Sequence, residues 1–238
     1  MISDLDKNPT RIAGMFDAIA GRYDLLNTVL SGGLDRYWRR RALRTLRLNG
    51  RETLLDVCTG TADVAIGAAR LRPGAARVVG LDFSSAMLRQ GARKVSARGL
   101  DGQVHLVRGD AAALPAGDGS VDTVTMAFGI RNVEKPETVC RELFRVLRPG
   151  GRLALLEFGL PVVPAVRPAY LWYFNHVLPR IGRAVSRHDA AYSYLPQSVG
   201  VFPWGDAFAQ LLAGAGFNNV QSQPLTLGVV YLYSGTRA

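Results

Sequence analysis

One stretch constrains the fold of this chain more than any other: Thr53-Leu-Leu-Asp-Val-Cys-Thr-Gly-Thr-Ala-Asp63, followed by Val78-Val-Gly-Leu-Asp82. An apolar run, a tight turn centred on Gly60, a helix and a second apolar run closed by an acid read as the nucleotide-binding half of a doubly wound α/β sheet. In such sheets the carboxylate ending the second strand receives the two ribose hydroxyls, which assigns that task to Asp82. A dinucleotide would call for G-x-G-x-x-G, whose backbone N–H groups meet the pyrophosphate. Here Gly60 stands without the other glycines, and the turn ends in an acid of its own, Asp63. An acid-rich turn suits a ligand that carries a sulfonium and an ammonium. The residues therefore point to S-adenosyl-L-methionine and not to a nicotinamide cofactor.

Around this unit the pattern keeps alternating. Two helices are expected over 11–48, joined at Ser31-Gly-Gly33. Strands follow at 53–58, 77–82, 103–108, 121–127 and 152–158, with helices at 62–71, 84–98 and 136–147 between them. Ser84 caps the second of these helices, and Arg148-Pro-Gly-Gly151 reads as a helix stop and turn. Strands alternating with helices imply a parallel sheet with right-handed crossovers. Residues 217–223 and 225–235 read as a closing hairpin broken at Pro224. The expected whole is a Rossmann-like, mostly parallel seven-stranded sheet with an antiparallel last strand, the class I methyltransferase arrangement. The chain reads as one domain over 1–238, with an N-terminal helical segment at 1–50 and an insertion at 160–203 after strand five. That insertion is rich in proline and carries the aromatic run Tyr170-Leu-Trp-Tyr-Phe174. It lies beyond the carboxyl ends of the strands, where ligands bind, and reads as a lid and substrate wall or as a satellite core.

The start of the chain has no basic region followed by an apolar core, so no secretory signal is expected. No apolar run approaches the ~20 residues of a spanning helix. Cys58 and Cys140 fall in a predicted strand and a predicted helix, which suits reduced thiols in the cytoplasm. A formal charge of +10 is the unusual feature. Arg36, Arg39, Arg40, Arg41, Arg44, Arg47 and Arg51 crowd together, and on a helix Arg36, Arg40, Arg44 and Arg47 share one face. A solvated face accounts for this. So does attraction to anionic lipid at the inner face of a membrane, or to nucleic-acid phosphates. No nucleic-acid-binding motif accompanies the charge, which favours lipid of the latter two.

Asp56 ends strand one as Asp82 ends strand two, and both acids at this spacing favour cofactor contact over a pair of helix caps. Thr61 and Asp63 are placed to hold the methionine portion. Gly109-Asp110-Ala-Ala112 follows strand three, where an acid meets the adenine amino group and a backbone N–H meets a ring nitrogen. Strand four ends Met126-Ala-Phe-Gly-Ile-Arg-Asn132 at the switch point of the sheet, facing both methyl group and acceptor. Arg131 and Asn132 follow an apolar strand directly, where a surface loop is an equally good reading. His105 alternates within a strand; His176 and His188 lie in the insertion. No metal-ligand spacing and no Ser/His/Asp arrangement occurs.

Phe16-Asp-Ala-Ile-Ala-Gly-Arg-Tyr-Asp-Leu-Leu-Asn27 with Ser31-Gly-Gly-Leu-Asp-Arg-Tyr-Trp-Arg39 closely resembles the first signature of the quinone C-methyltransferases of the UbiE/MenG type. Arg145-Val-Leu-Arg-Pro-Gly-Gly-Arg-Leu-Ala-Leu-Leu-Glu-Phe158 resembles the second, and Phe128-Gly-Ile-Arg-Asn-Val133, Tyr192-Ser-Tyr-Leu-Pro-Gln-Ser198 and Phe202-Pro203 match further segments. The resemblance implies methylation of a ring carbon on a demethylmenaquinol or a polyprenyl-benzoquinol, with S-adenosyl-L-methionine as donor. It implies cofactor contacts at Thr61, Asp82, Asp110 and Ala111. Two positions depart from the pattern: Cys58-Thr-Gly-Thr-Ala62 stands for a more glycine-rich turn, and Ala127 stands where many members have a serine that faces the cofactor. A hydroquinol carbon becomes nucleophilic once its neighbouring hydroxyl ionises, and the resemblance points to Arg131 to stabilise the phenolate and orient a water. Asn132 would hold the ring oxygen, with Tyr192 and His176 as secondary candidates. The same resemblance leaves room for another lipophilic phenol as acceptor. It also leaves room for a non-catalytic scaffold, against which Thr61, Asp82 and Asp110 all stand. Oligomeric state has no signature in the sequence.

Overall fold

The computed structural model describes residues 7–177, 180 and 189–238, with the backbone alone for 189–193. Three helices come first: α1 (Pro9–Ile19), α2 (Tyr23–Leu30) and α3 (Leu34–Thr45). The sequence suggested two. The break at Ala20–Arg22 narrows to a single 3₁₀ turn beside Gly21, whose lack of a side chain weakens a helix interior. The joint at Ser31-Gly-Gly33 stands where it was expected, because Gly32 and Gly33 take φ of 59° and 82°, angles open mainly to glycine.

Strands β1 (Thr53–Val57), β2 (Arg77–Asp82), β3 (Val104–Arg108), β4 (Val121–Ala127), β5 (Leu147–Phe158), β6 (Asn218–Leu225) and β7 (Val230–Thr236) form one sheet in the order β3-β2-β1-β4-β5-β7-β6. The first five run parallel; β7 lies antiparallel between β5 and β6. From β1 the chain builds outward to β2 on one side and later returns to β4 on the other. That reversal opens a crevice at the carboxyl ends of β1 and β4, which is where a ligand sits in such sheets.

Helices α4 (Asp63–Arg70), α5 (Ser85–Ser96) and α6 (Pro136–Val146) make the crossovers, and α9 (Asp206–Gly214) precedes the final hairpin. One face of the sheet packs Val57, Val124 and Leu155 against Val139 and Leu143 of α6 and Phe208 of α9. The other packs Leu54, Val78 and Ala154 against Trp38 and Leu43 of α3 and Ala65 of α4. Strands covered on both faces are buried almost throughout, as β1 and β4 are. Two boundaries differ from the pattern read. Arg148-Pro-Gly-Gly151 ends α6 but continues as the first part of β5, because Val121 of β4 pairs with Leu147 before the register shifts. The closing hairpin bends at Thr226–Gly228 and not at Pro224, which sits inside β6. A proline is tolerated there because β6 is an edge strand with no further partner for the missing N–H.

The insertion contributes α7 (Arg167–Trp172), a wide π turn over Tyr173–Val177, and α8 (Asp189–Val201). Phe174 and Val199 from it pack with Ile19 and Leu26 of the N-terminal helices in a cluster of their own. Among the described residues no helix is long and apolar enough to cross a membrane.

Candidate active site

The turn after β1 alternates between ordinary and left-handed backbone: Cys58, Gly60 and Ala62 have φ of 55°, 56° and 66°. This brings the Gly60 N–H to 2.8 Å from Asp82 Oδ2, while the Ser84 N–H donates to Oδ1 at 2.9 Å. Asp82 is thereby fixed across the ends of β1 and β2. Burial raises its pKa, and the backbone donors from Ser84 and Gly60 pull it back. Asp82 borders a cavity of about 230 Å³ together with Gly60, Asp110, Ala111, Ala127 and Asn132. Asn132 Oδ1 is buried there without a hydrogen-bond partner. Asp110 is exposed and turns one oxygen to the Ala112 N–H at 2.8 Å, which leaves the other free. An acid for two hydroxyls, a second acid beside the buried Ala111, and an orphaned amide oxygen fit an adenosyl group with its ribose.

Asp56 lies apart from that cavity. It is 1% exposed and accepts from the Thr59 hydroxyl at 2.6 Å and the Thr125 hydroxyl at 2.8 Å. Burial pushes its carboxyl up to about 6 against those two bonds. Its oxygens are engaged inside the sheet, so it braces the turn from beneath. Thr61 and Asp63 are drawn into a charged network. The Thr61 hydroxyl donates to Asp24 at 2.5 Å, and Lys94 bonds Asp24 at 2.6 Å, Thr61 at 3.0 Å and Asp63. Arg39 stands 3.5 Å from Asp63 and 2.5 Å from Asp35. This charged network ties the N-terminal helices to α4 and α5. Asp56, Thr61 and Asp63 border a narrow cavity of about 30 Å³ beside Gly60 and Tyr23.

The other side of the site grows from the end of β4. Phe128 takes φ of 61°, a strained conformation for a non-glycine residue. Its carbonyl is held by Arg131 Nη1 at 2.7 Å and Asn132 Nδ2 at 3.3 Å. Arg131 is buried, and the same Nη1 lies 2.7 Å from Oε1 of Glu157, a fully buried residue near the end of β5. The guanidinium also stacks over Phe158, 5.3 Å from the ring centre. A second cavity of about 110 Å³ opens here, bordered by Leu26, Arg131, Phe158, Tyr170, Phe174 and Tyr194. Phe16, Tyr23 and Phe128 border both this pocket and the larger cavity, so the two adjoin across those rings.

Sequence reasoning found Arg131 and Asn132 and missed Glu157, Tyr170 and Tyr194. Glu157 was visible only as one acid inside an otherwise apolar strand. Tyr170 belongs to the aromatic run, and Tyr194 stands two residues beyond Tyr192 in the matched segment. The Tyr192 side chain and His188 lie outside the described residues. His176 is corrected: it is exposed, stacks on Trp172, bonds the Trp172 carbonyl at 3.1 Å and borders neither cavity. The π turn that sends Phe174 inward sends His176 out. Among the described residues no three His, Cys, Asp or Glu side chains gather as a metal site.

A model of the ubiE/COQ5 methyltransferase family matches residues 4–237. A ubiquinone/menaquinone biosynthesis C-methyltransferase UbiE from Geotalea daltonii is 42% identical over 98% of this chain and 99% of its own length. A demethylmenaquinone methyltransferase from Thermus thermophilus is 46% identical over 94% of this chain and 100% of its own. Among solved structures, a SAM-dependent methyltransferase from Thermotoga maritima superposes with a TM-score of 0.63 at 18% identity, covering 95% of this chain and all of the other, a likeness of fold.

Proposed function

The chain belongs to the ubiE/COQ5 methyltransferase family, and from that premise we propose that it methylates a ring carbon of a prenylated hydroquinone, demethylmenaquinol first, with polyprenyl-benzoquinol as a related acceptor. The observation that carries this reading is the adjacency of the two cavities, one bordered by Asp82 and the other by Arg131, across Phe16, Tyr23 and Phe128. Bound in the larger cavity, S-adenosyl-L-methionine would supply an electrophilic methyl group, and the ring carbon that takes it then gives up its own hydrogen as a proton to water. Asp82 holds the ribose hydroxyls, Asp110 and the Ala111 N–H read the adenine, and Gly60 lets the backbone approach. Thr61 and Asp63 act at the methionine end through the narrow space beside Gly60, within the network they share with Lys94. Ala127 contributes only its small size.

The acceptor needs a neighbouring hydroxyl to ionise, and a free phenol titrates near ~10. A guanidinium donates hydrogen bonds and is no base. The guanidinium of Arg131, whose Nε–H has no partner among the described residues, stabilises the phenolate and orients the water that takes the proton. Glu157 keeps the guanidinium in that orientation through Nη1. Asn132 positions the ring oxygen from the cofactor side. Tyr170, Phe174 and Tyr194 of the insertion wall the aromatic pocket and help to exclude water, which strengthens each of these interactions.

The tail of such a substrate lives in a bilayer, which gives the basic helix a purpose. Arg36, Arg40, Arg41 and Arg44 are exposed on α3 beside exposed Leu34 and Tyr37, whereas Arg39 turns inward to Asp35. A basic face with apolar residues set in it suits peripheral contact with anionic lipid at the inner face of a membrane. The activity is tested anaerobically with labelled donor and quinones in both redox states. Transfer to the reduced form alone supports the proposal; transfer to the oxidised form, or to neither, removes it.

A further inference from the structure

Among the described residues six buried side-chain atoms lack any hydrogen-bond partner, and four of them belong to residues bordering the two adjoining cavities. Asn132 Oδ1 lies on the cofactor side. Arg131 Nε and the phenolic oxygens of Tyr170 and Tyr194 belong to the walls of the aromatic pocket. An unpaired buried polar atom forfeits its bonds to water with nothing in return. Three of them around one small apolar space is an arrangement that a ligand oxygen would satisfy and that packing alone would not keep.

The two tyrosines come from different helices of the insertion. Tyr170 belongs to α7 and stacks on Phe174 at 5.1 Å, while Tyr194 belongs to α8. Burial raises the pKa of both phenols, and the Arg131 charge pulls both back, so the guanidinium acts on each. Methyl transfer to a ring carbon uses one hydroxyl, the one next to that carbon. A hydroquinone carries a second oxygen across the ring that takes no part in bond making. Buried in this pocket, that oxygen needs a partner of its own.

We propose that Tyr170 and Tyr194 bind the ring oxygen farther from the reacting carbon and so make the enzyme select 1,4-dihydroxy rings over phenols with a single hydroxyl. The inference rests on the function proposed above and adds the residues that read the acceptor ring. A site built to bond a hydroxyl discriminates strongly against an analogue lacking it, because the donors are then left buried and unpaired.

Tyr170→Phe and Tyr194→Phe keep the ring and remove the oxygen. Each variant is assayed with a prenylated 1,4-naphthoquinol and with the matching prenylated naphthol that keeps only the hydroxyl beside the reacting carbon. The parent should prefer the quinol. Each variant should lose about tenfold in kcat/KM on the quinol and stay within about twofold of the parent on the naphthol. Thermal midpoints should hold or rise, since an unpaired buried atom is removed. Equal losses on both substrates, no loss on the quinol, or a sharp fall in thermal midpoint overturns the inference. A parent inactive on the quinol overturns the functional reading itself, whereas an active parent with unaltered preference in the variants sinks the tyrosine assignment alone.

Discussion

Arg131 and Glu157 form a buried ion pair, 2.7 Å from Nη1 to Oε1, that joins the loop after β4 to β5 where Arg131 and Phe158 border the aromatic pocket. The Arg131 N–H donates to Oε2 of the same carboxylate at 3.2 Å, and the Phe158 N–H to Oε1 at 2.8 Å. Glu157 thus fixes both backbone and guanidinium, and the charge that meets an ionising substrate is half of a neutral pair. The pair lowers the cost of burying Arg131 and keeps its Nε available.

Glu157→Gln should accordingly be severe. Removing one partner of a buried pair leaves the other uncompensated and costs about 3–5 kcal/mol. Denaturant unfolding should show that loss, and kcat should fall more than KM rises because the guanidinium loses its orientation. Arg131→Lys keeps the charge without the planar fork, so it should recover part of the stability and little of the rate relative to Arg131→Ala. Near-parental turnover in Arg131→Ala would show that Arg131 serves the fold alone.

Asp82→Asn tests the cofactor side. The amide keeps the shape but cannot accept from the Gly60 N–H, the Ser84 N–H and two ribose hydroxyls together. Calorimetry should record a loss of S-adenosyl-L-methionine affinity of about tenfold or more, with unfolding still cooperative. Parental affinity would move the ribose contact elsewhere.

Asp56 supplies a pH signature. Its carboxyl goes from an ordinary 3.8 to about 6 on folding because burial disfavours the charge. A raised acid binds its proton more tightly when folded, so its contribution to stability is full below its ordinary pKa and is lost as pH rises through the folded value. The loss is on the order of 3 kcal/mol. Asp56→Asn should therefore gain stability relative to the parent as pH rises from about 4 to about 7, read as the difference between their denaturation midpoints. A difference that stays flat with pH would mean that Asp56 is charged at no cost.

The fold was legible because its signals are local. Apolar runs punctuated by Gly60, Asp82 and Pro149 place strands and turns one after another, and the order of helices and strands leaves few topologies. The place of Asp82 at the cavity could be read for the same reason, since it follows from a strand end. Asp56 looked equivalent, yet its side chain points between the strands to Thr59 and Thr125, and Thr125 is distant in sequence. Thr61 and Asp63 were likewise captured by Lys94 and Asp24, a pairing that exists only once α2 has folded over α5. Tyr170 and Tyr194 escaped notice because an unpaired hydroxyl is a property of the packed pocket and leaves no trace in composition or spacing.

Membrane contact through α3 predicts an ionic signature. Co-sedimentation with vesicles should require anionic lipid and weaken as salt is raised. Replacing Arg36, Arg40, Arg41 and Arg44 with Gln should reduce binding by several kcal/mol, at about 1 kcal/mol per arginine, while methylation of a short-tailed quinol in detergent stays unchanged. Equal binding of parent and variant would return this face to ordinary solvent exposure.

The central claim is carbon methylation of a reduced quinone, and the position of the transferred methyl decides it. The purified protein is incubated anaerobically with ¹³C-methyl S-adenosyl-L-methionine and prenylated demethylnaphthoquinol, and the product is read by NMR. A label on the ring carbon beside the prenyl-bearing carbon, appearing only with the reduced acceptor, is the outcome this account predicts. A label on oxygen as a methyl ether, or no transfer at all, would contradict it.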